Sequence, residues 1–161
     1  MERGLNIIDS DVFLRDLRYS RDKKIKATRE FLELVKDRKI SGATTIYNFL
    51  EILGVMSYNL SEEDIVSLFR NFPATYNIVI IFPIEERKLV CFKVEEVFLQ
   101  IRKEMGILDA LIASLIEKRR EDVETFVTWN KKHFQGKLPA RVLTPEEAIT
   151  ELQDLDKDDS R

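Results

Sequence analysis

A single cysteine, Cys91, leaves this 161-residue chain no internal disulfide and no cysteine-built zinc site. Its setting in "LVCF" reads as that of a small buried hydrophobe. Glycine and proline are also scarce, five and four residues, and with 44% hydrophobic and 34% charged residues the composition is globular. No apolar run approaches the roughly eighteen residues of a membrane span. The opening "MERGLNIID" lacks a signal-peptide apolar stretch, so a cytoplasmic location is expected, with no membrane partner. A surplus of one charge is missing too: a net charge of −3 does not mark a polyanion binder, although it leaves local patches open. The length suits one domain, expected over residues 1–150, followed by a charged, frayed tail at 151–161.

What is present is an alternation. Short apolar runs rich in β-branched residues fall at Leu5–Ile8, Ala43–Ile46, Ile78–Phe82, Phe126–Thr128 and Arg141–Leu143. Between them, Thr28, Phe31, Leu32 and Val35 follow helical spacing, as do Ile65, Leu68, Phe69 and Phe72, and Val94, Val97, Phe98 and Ile101. "SEED" at Ser61–Asp64 and "TPEE" at Thr144–Glu147 have the form of capping boxes that open helices. "LDALIASLI", Leu108–Ile116, is apolar almost all round and predicts a helix buried on most sides. Continuous apolar strands separated by helices predict a three-layer α/β/α domain around a mostly parallel sheet of about five strands. In such sheets the working site lies beyond the carboxyl ends of the strands.

Five polar residues are candidates for that edge. Asp9 directly follows the first strand, and Asp11 lies two residues on. Glu51, in "TTIYNFLEILG", is the only acid between Ser41 and Leu60. Asp109 is the only charge between Glu104 and Glu117. Burying an unpaired carboxylate costs several kcal/mol, and a shared divalent cation removes that cost. Each acid has a plainer reading. Asp9 and Asp11 suit a turn, Asp109 suits a helix N-cap, and Glu51 suits the edge of a wide apolar helix face. In "FVTWNKKHF", Asn130 emerges at the same edge; its amide oxygen can ligate Mg²⁺, and Thr128 can hydrogen-bond a ligand carboxylate.

The order "IIDSDVFL", "TTIYNFLEILG", "LDALIA", "VTWNKKHF" and "RVLTPEEA" resembles the PIN-domain family, above all the VapC-like toxin ribonucleases, from about Leu5 to about Ala148. The resemblance places the family's acids on Asp9, Glu51 and Asp109, and its fourth position on Asn130. Asp11 stands where an Asn is common, which adds a charge, and Asn130 in place of Asp removes one. The resemblance implies a Mg²⁺- or Mn²⁺-dependent endoribonuclease, with Asp9, Asp11, Glu51, Asp109 and Asn130 as oxygen donors and Thr128 behind them. One or two cations, in the second case about 3.5–4 Å apart, would polarise the scissile phosphate and activate a water. It also implies a homodimer, formed through helices comparable to Ser61–Phe72 and Val94–Met105, and a small antitoxin protein. His133 has no catalytic counterpart in the family and reads as a structural or surface residue beside Phe134.

An acidic centre needs a basic rim to hold RNA. "RDLRYSRDKKIK", Arg15–Lys26, carries six basic and two acidic residues, and Lys131 and Lys132 follow Asn130. Arg15, Arg18, Lys131 and Lys132 are the RNA-contact candidates, with Tyr19 and Trp129 as stacking platforms. The plainer readings are a solvated helix face for the run and packing for Trp129. The principal alternative function is a PIN-like module without catalysis that binds RNA or scaffolds. A phosphorylation receiver fits poorly, because no acid ends the third strand at Phe82–Pro83.

Overall fold

The computed structural model describes residues 4–85, 88–89 and 93–158. Cys91 lies outside them. The chain opens with β1 (Leu5–Ile8), α1 (Ser10–Arg18), α2 (Ile25–Lys36) and β2 (Gly42–Thr45). Next come α3 (Ile46–Met56), α4 (Glu62–Tyr76) and β3 (Val79–Ile81). A short antiparallel pair, β4 (Ile84–Glu85) and β5 (Lys88–Leu89), precedes α5 (Val94–Ile101) and α6 (Ile107–Lys118). The last elements are β6 (Val123–Val127), the one-turn α7 (Lys131–Phe134), β7 (Arg141–Leu143) and α8 (Pro145–Asp158). Five strands form a parallel sheet in the order β3-β2-β1-β6-β7, as the apolar runs predict.

Side chains on a strand alternate between faces, so each strand feeds two cores. On one face Ile8 and Val127 meet Phe13, Phe31, Phe49, Phe72 and Tyr76. The Phe72 ring centre lies 4.8 Å from Phe49, 4.9 Å from Phe13 and 5.0 Å from Tyr76. Removing such a ring costs about 3–5 kcal/mol. On the other face Ile7, Ala43, Ile81, Phe126 and Val142 pack against α6, whose residues Ala110 and Ile112 to Ile116 are all buried. Gly42 is required at the start of β2, because a Cβ there would stand 2.5 Å from Val35 Cγ1.

Local signals set most of the boundaries. Ser61 Oγ accepts the Asp64 N–H at 3.2 Å, and Thr144 and Glu147 exchange bonds of 2.7 and 3.2 Å in a reciprocal capping box. Thr45 accepts the Asn48 N–H at 3.1 Å, so Ile46 opens α3 instead of ending β2. β6 starts earlier than its apolar run, at Val123, because the exposed Glu124 interrupts the pattern without breaking the strand. α8 continues past position 150 to Asp158, and Leu152 packs against the first core. Among the described residues no helix is long and apolar enough to cross a membrane.

Register brings the site together. Ile8 lies opposite Val127, and Val127 opposite Leu143. The next residues continue the pattern: Asp9 N–H donates to Val127 O at 2.9 Å, and Thr128 N–H donates to Leu143 O at 2.9 Å. Asp9 and Thr128 are thus neighbours at the carboxyl edge of the sheet, although they are far apart in sequence.

Candidate active site

Asp9 is both the N-cap of α1 and the hub of a buried polar nest. Its Oδ1 accepts the Ser10 N–H at 2.8 Å and the Asn48 amide at 2.7 Å. Its Oδ2 accepts the Thr128 hydroxyl at 2.8 Å. The same hydroxyl lies 3.3 Å from Asp11 Oδ2, and the Trp129 N–H lies 3.0 and 3.2 Å from the two Asp11 oxygens. The Ser10 hydroxyl donates to Glu51 Oε2 in a very short bond. Asn48 is itself fixed, its Oδ1 accepting the Thr45 hydroxyl at 2.6 Å.

The nest therefore gathers Asp9, Asp11 and Glu51 into one electrostatic group. Burial raises the Asp9 pKa well above the usual carboxylate range, and the neighbouring charges of Asp11 and Glu51 raise it further. Asp11 is also raised, chiefly by burial, against the lowering effect of the Trp129 N–H, the Thr128 hydroxyl and Arg15. Repulsion of this kind is what a divalent cation would relieve, and an all-oxygen donor set suits a hard one. Asp9 caps α1, and the charges of Asp11 and Glu51 act on the same carboxyl group. Among the described residues, however, no three acid, histidine or cysteine side chains close around a common point as a finished metal cage.

Asp109 sits at the rim. It lies in the first turn of α6, but Gly106 occupies the N-cap, which removes the cap reading. No hydrogen bond joins Asp109 to Asp9, Asp11 or Glu51 among the described residues; its partner is His133, whose Nδ1 is 3.5 Å from Asp109 Oδ2. The same Nδ1 lies 3.0 Å from the Asn130 amide nitrogen, and the Asn130 N–H donates to Thr128 Oγ1 at 2.9 Å. Asn130 thus links the rim to the nest. His133 is 59% exposed on its side chain, so the surface part of its sequence reading fits, but its contacts are with the site and not only with Phe134.

Sequence reasoning does not single out Ser10 or Asn48, and it gives His133 only a structural or surface role. Asn48 was findable: it stands three residues after the capping Thr45 and three before Glu51, on one helical face. Ser10, between two acids, and His133, one turn after Asn130, gave only positional hints.

The four basic candidates differ in their surroundings. Arg15 turns inward, paired in a close contact with Asp22 and stacked near Trp129 at 5.6 Å from the ring centre. Lys131 is held by both Glu147 oxygens at 2.7 and 2.8 Å. Arg18, lying 5.6 Å from the Tyr19 ring centre, and Lys132 are exposed. The Arg15–Lys26 run is not a single helix face; it spans the end of α1, the turn that follows and the start of α2, with Arg18, Arg21, Lys23, Lys24 and Lys26 exposed. Trp129 packs, as its plainer reading has it: its indole N–H donates to Thr28 at 3.0 Å, and Lys24 covers the ring at 4.6 Å.

This architecture has counterparts among solved structures. The chain superposes on one in the crystal structure of VapBC2 from Rickettsia felis bound to a DNA fragment from their promoter, with a TM-score of 0.59 and 19% identity over 87% of this chain and 98% of that one. It is also similar to FitAB bound to an IR36 DNA fragment, with a TM-score of 0.55 and 15% identity over 88% of this chain and 94% of that one. FitAcB from Neisseria gonorrhoeae gives 0.55 and 15%, over 88% and 98%. The chain has the PIN-domain fold. At these identities the likeness speaks for the fold, and the PIN-like order of motifs along the sequence agrees with it. No protein-family model matches the sequence, and none of the curated proteins does.

Proposed function

We propose that the chain is a divalent-metal-dependent endoribonuclease and the toxin of a toxin–antitoxin pair acting in the cytoplasm. The observation that carries this reading is the buried Asp9 at the carboxyl edge of a PIN-fold sheet, with the half-buried Asp11 and Glu51 close enough for their charges to act on it. Asp9, Asp11 and Glu51 would hold Mg²⁺ or Mn²⁺ from the nest, and Asp109 and Asn130 from the rim. When bound, the cation supplies charge neutralisation at the scissile phosphate and a more acidic water. The chain's own residues do the rest. Thr128 orients Asp9 and Asp11 through one hydroxyl, Ser10 orients Glu51, and Asn48 fixes Asp9 from the side. Arg18 and Lys132, with the exposed turn before α2, supply the positive rim for RNA.

Partners are part of the proposal. Val66 and Phe69 on α4, and Phe98, Leu99 and Ile101 on α5, are exposed apolar residues on amphipathic helices. They supply surface for a homodimer and for a small antitoxin, a reading in keeping with the VapBC2 and FitAB complexes that share the fold. The test is RNA cleavage by the purified protein across a Mg²⁺ and Mn²⁺ titration, with Asp9→Asn and Asp109→Asn beside wild type. Metal-dependent cleavage lost in both variants supports the reading; full activity of Asp9→Asn overturns it.

A second reading, a PIN-like RNA-binding or scaffolding module without catalysis, draws on the amide at Asn130 and on the absence of a closed three-acid cluster among the described residues. It predicts RNA binding that chelators leave unchanged, and no cleavage at any metal concentration.

A further inference from the structure

We infer that Tyr19, backed by the Arg18 guanidinium, is a stacking platform for an unpaired RNA base, and that it makes the protein select single-stranded substrate. The inference rests on the nuclease reading for where the strand is cut, and adds a second point of hold to it. Asp11, Arg15 and Arg18 follow one another at helical spacing, so one face of α1 runs from the acidic nest out to the helix end. Tyr19 closes that end as the C-cap. The rise from Asp11 to Tyr19 is roughly 12 Å, more than one nucleotide of a single strand covers. A strand leaving the nest along this face meets Arg15, then Arg18, then the ring.

The ring is equipped for a base. The Arg18 guanidinium lies over it, 5.6 Å from its centre, and 48% of Tyr19 stays exposed. A cation on one side of an aromatic ring and a base on the other form a favourable layer, open to any base because each has a π-face. The ring also stands on a fixed turn. The Asp22 N–H donates to Tyr19 O at 2.9 Å, the Lys24 N–H donates to Asp22 Oδ1 at 2.7 Å, and Asp22 pairs with Arg15. Lys24 then lies over Trp129, whose N–H donates to Asp11, so the turn is tied back to the nest. The exposed Arg21, Lys23 and Lys26 add positive charge for the flanking phosphates. Two other aromatic residues lack this combination. Trp129 is committed to Thr28, Arg15 and Lys24. Tyr58 is 89% exposed, but the chain beyond it carries Glu62, Glu63 and Asp64, which repel phosphate.

The experiment titrates the full chain, in a chelator that prevents metal-dependent cleavage, into a short single-stranded RNA carrying a fluorescent adenine analogue at each position in turn. Stacking quenches such a base. Wild type is expected to quench it most strongly at one position, and Tyr19→Phe to do the same, because the ring remains. Tyr19→Ala should lose that quenching and bind the single strand about tenfold more weakly. Its affinity for duplex RNA of the same sequence should change less than about twofold, as should the affinity of Tyr58→Ala for the single strand. Equal losses for single strand and duplex, or a Tyr19→Phe as weak as Tyr19→Ala, would overturn the inference. If Tyr19→Ala binds the single strand as wild type does, the platform falls, while metal-dependent cleavage leaves the nuclease reading standing. If wild type shows the localised quenching and yet cleaves nothing with Mg²⁺ or Mn²⁺, the platform stands and the nuclease reading falls.

Discussion

The inner and outer halves of the candidate site are built on different principles. The inner half, Asp9 with the half-buried Asp11 and Glu51, is wired: Asp9 is 6% exposed, and each of its oxygens is held by a donor. The outer half, Asp109, Asn130 and His133, is open, and one ring nitrogen makes its side-chain contacts. The inner acids are fixed at a cost in charge repulsion, which the sheet register and the caps of α1 and α3 enforce. The outer groups bear little cost and little constraint. A site divided in this way has a preorganised anchor for charge and an adaptable face toward whatever approaches it.

Breaking the anchor should have the largest effect. Asp9→Asn is expected to lower metal-dependent RNA cleavage by more than about a hundredfold, measured as kcat/KM on a single-stranded oligonucleotide, while Lys132→Ala retains most of it. Thr128→Val keeps the side-chain shape but removes the hydroxyl shared by Asp9 and Asp11. Metal affinity should drop about 10–100-fold by calorimetry. Ser10→Ala frees Glu51 alone and should cost about tenfold in the same measurement.

Stability sharpens the contrast in the opposite sense. Because the Asp9 pKa is raised in the folded protein, its contribution to stability is fully present below the unfolded pKa of about 4 and is lost as pH rises through the folded value. Metal-free wild type should therefore lose stability relative to Asp9→Asn as pH is raised from acid to neutral, a trend seen by thermal melts at several pH values. The smallest effect is expected at Lys131, which Glu147 already holds: Lys131→Ala should change RNA affinity less than Lys132→Ala, by about twofold or less.

The same division governs what could be read from the sequence. Asp9 was legible because an acid directly after an apolar strand must emerge at the sheet edge, and Glu51 because no other charge surrounds it. Parallel order and the two capping boxes were legible for similar local reasons. The role of Ser10 is not legible in the sequence, because it exists only once register sets β1 beside β2. The inward turn of Arg15 depends on Asp22 and Trp129, a contact between segments that periodicity does not encode. The contact of His133 with Asp109 is not legible because the two residues come from separate elements, α7 and α6. The helix after "TPEE" includes residues of the charged tail, and Leu152 within it reaches the core, a contact that the charge of these residues does not announce.

The most direct test of the central claim, that Asp9 belongs to a cation-binding nest, is the thermal melting of metal-free protein at neutral pH before and after millimolar Mn²⁺ is added. Mn²⁺ should raise Tm by several degrees in wild type and leave Asp9→Asn unchanged. An equal shift in both proteins, or none in wild type, would contradict the account.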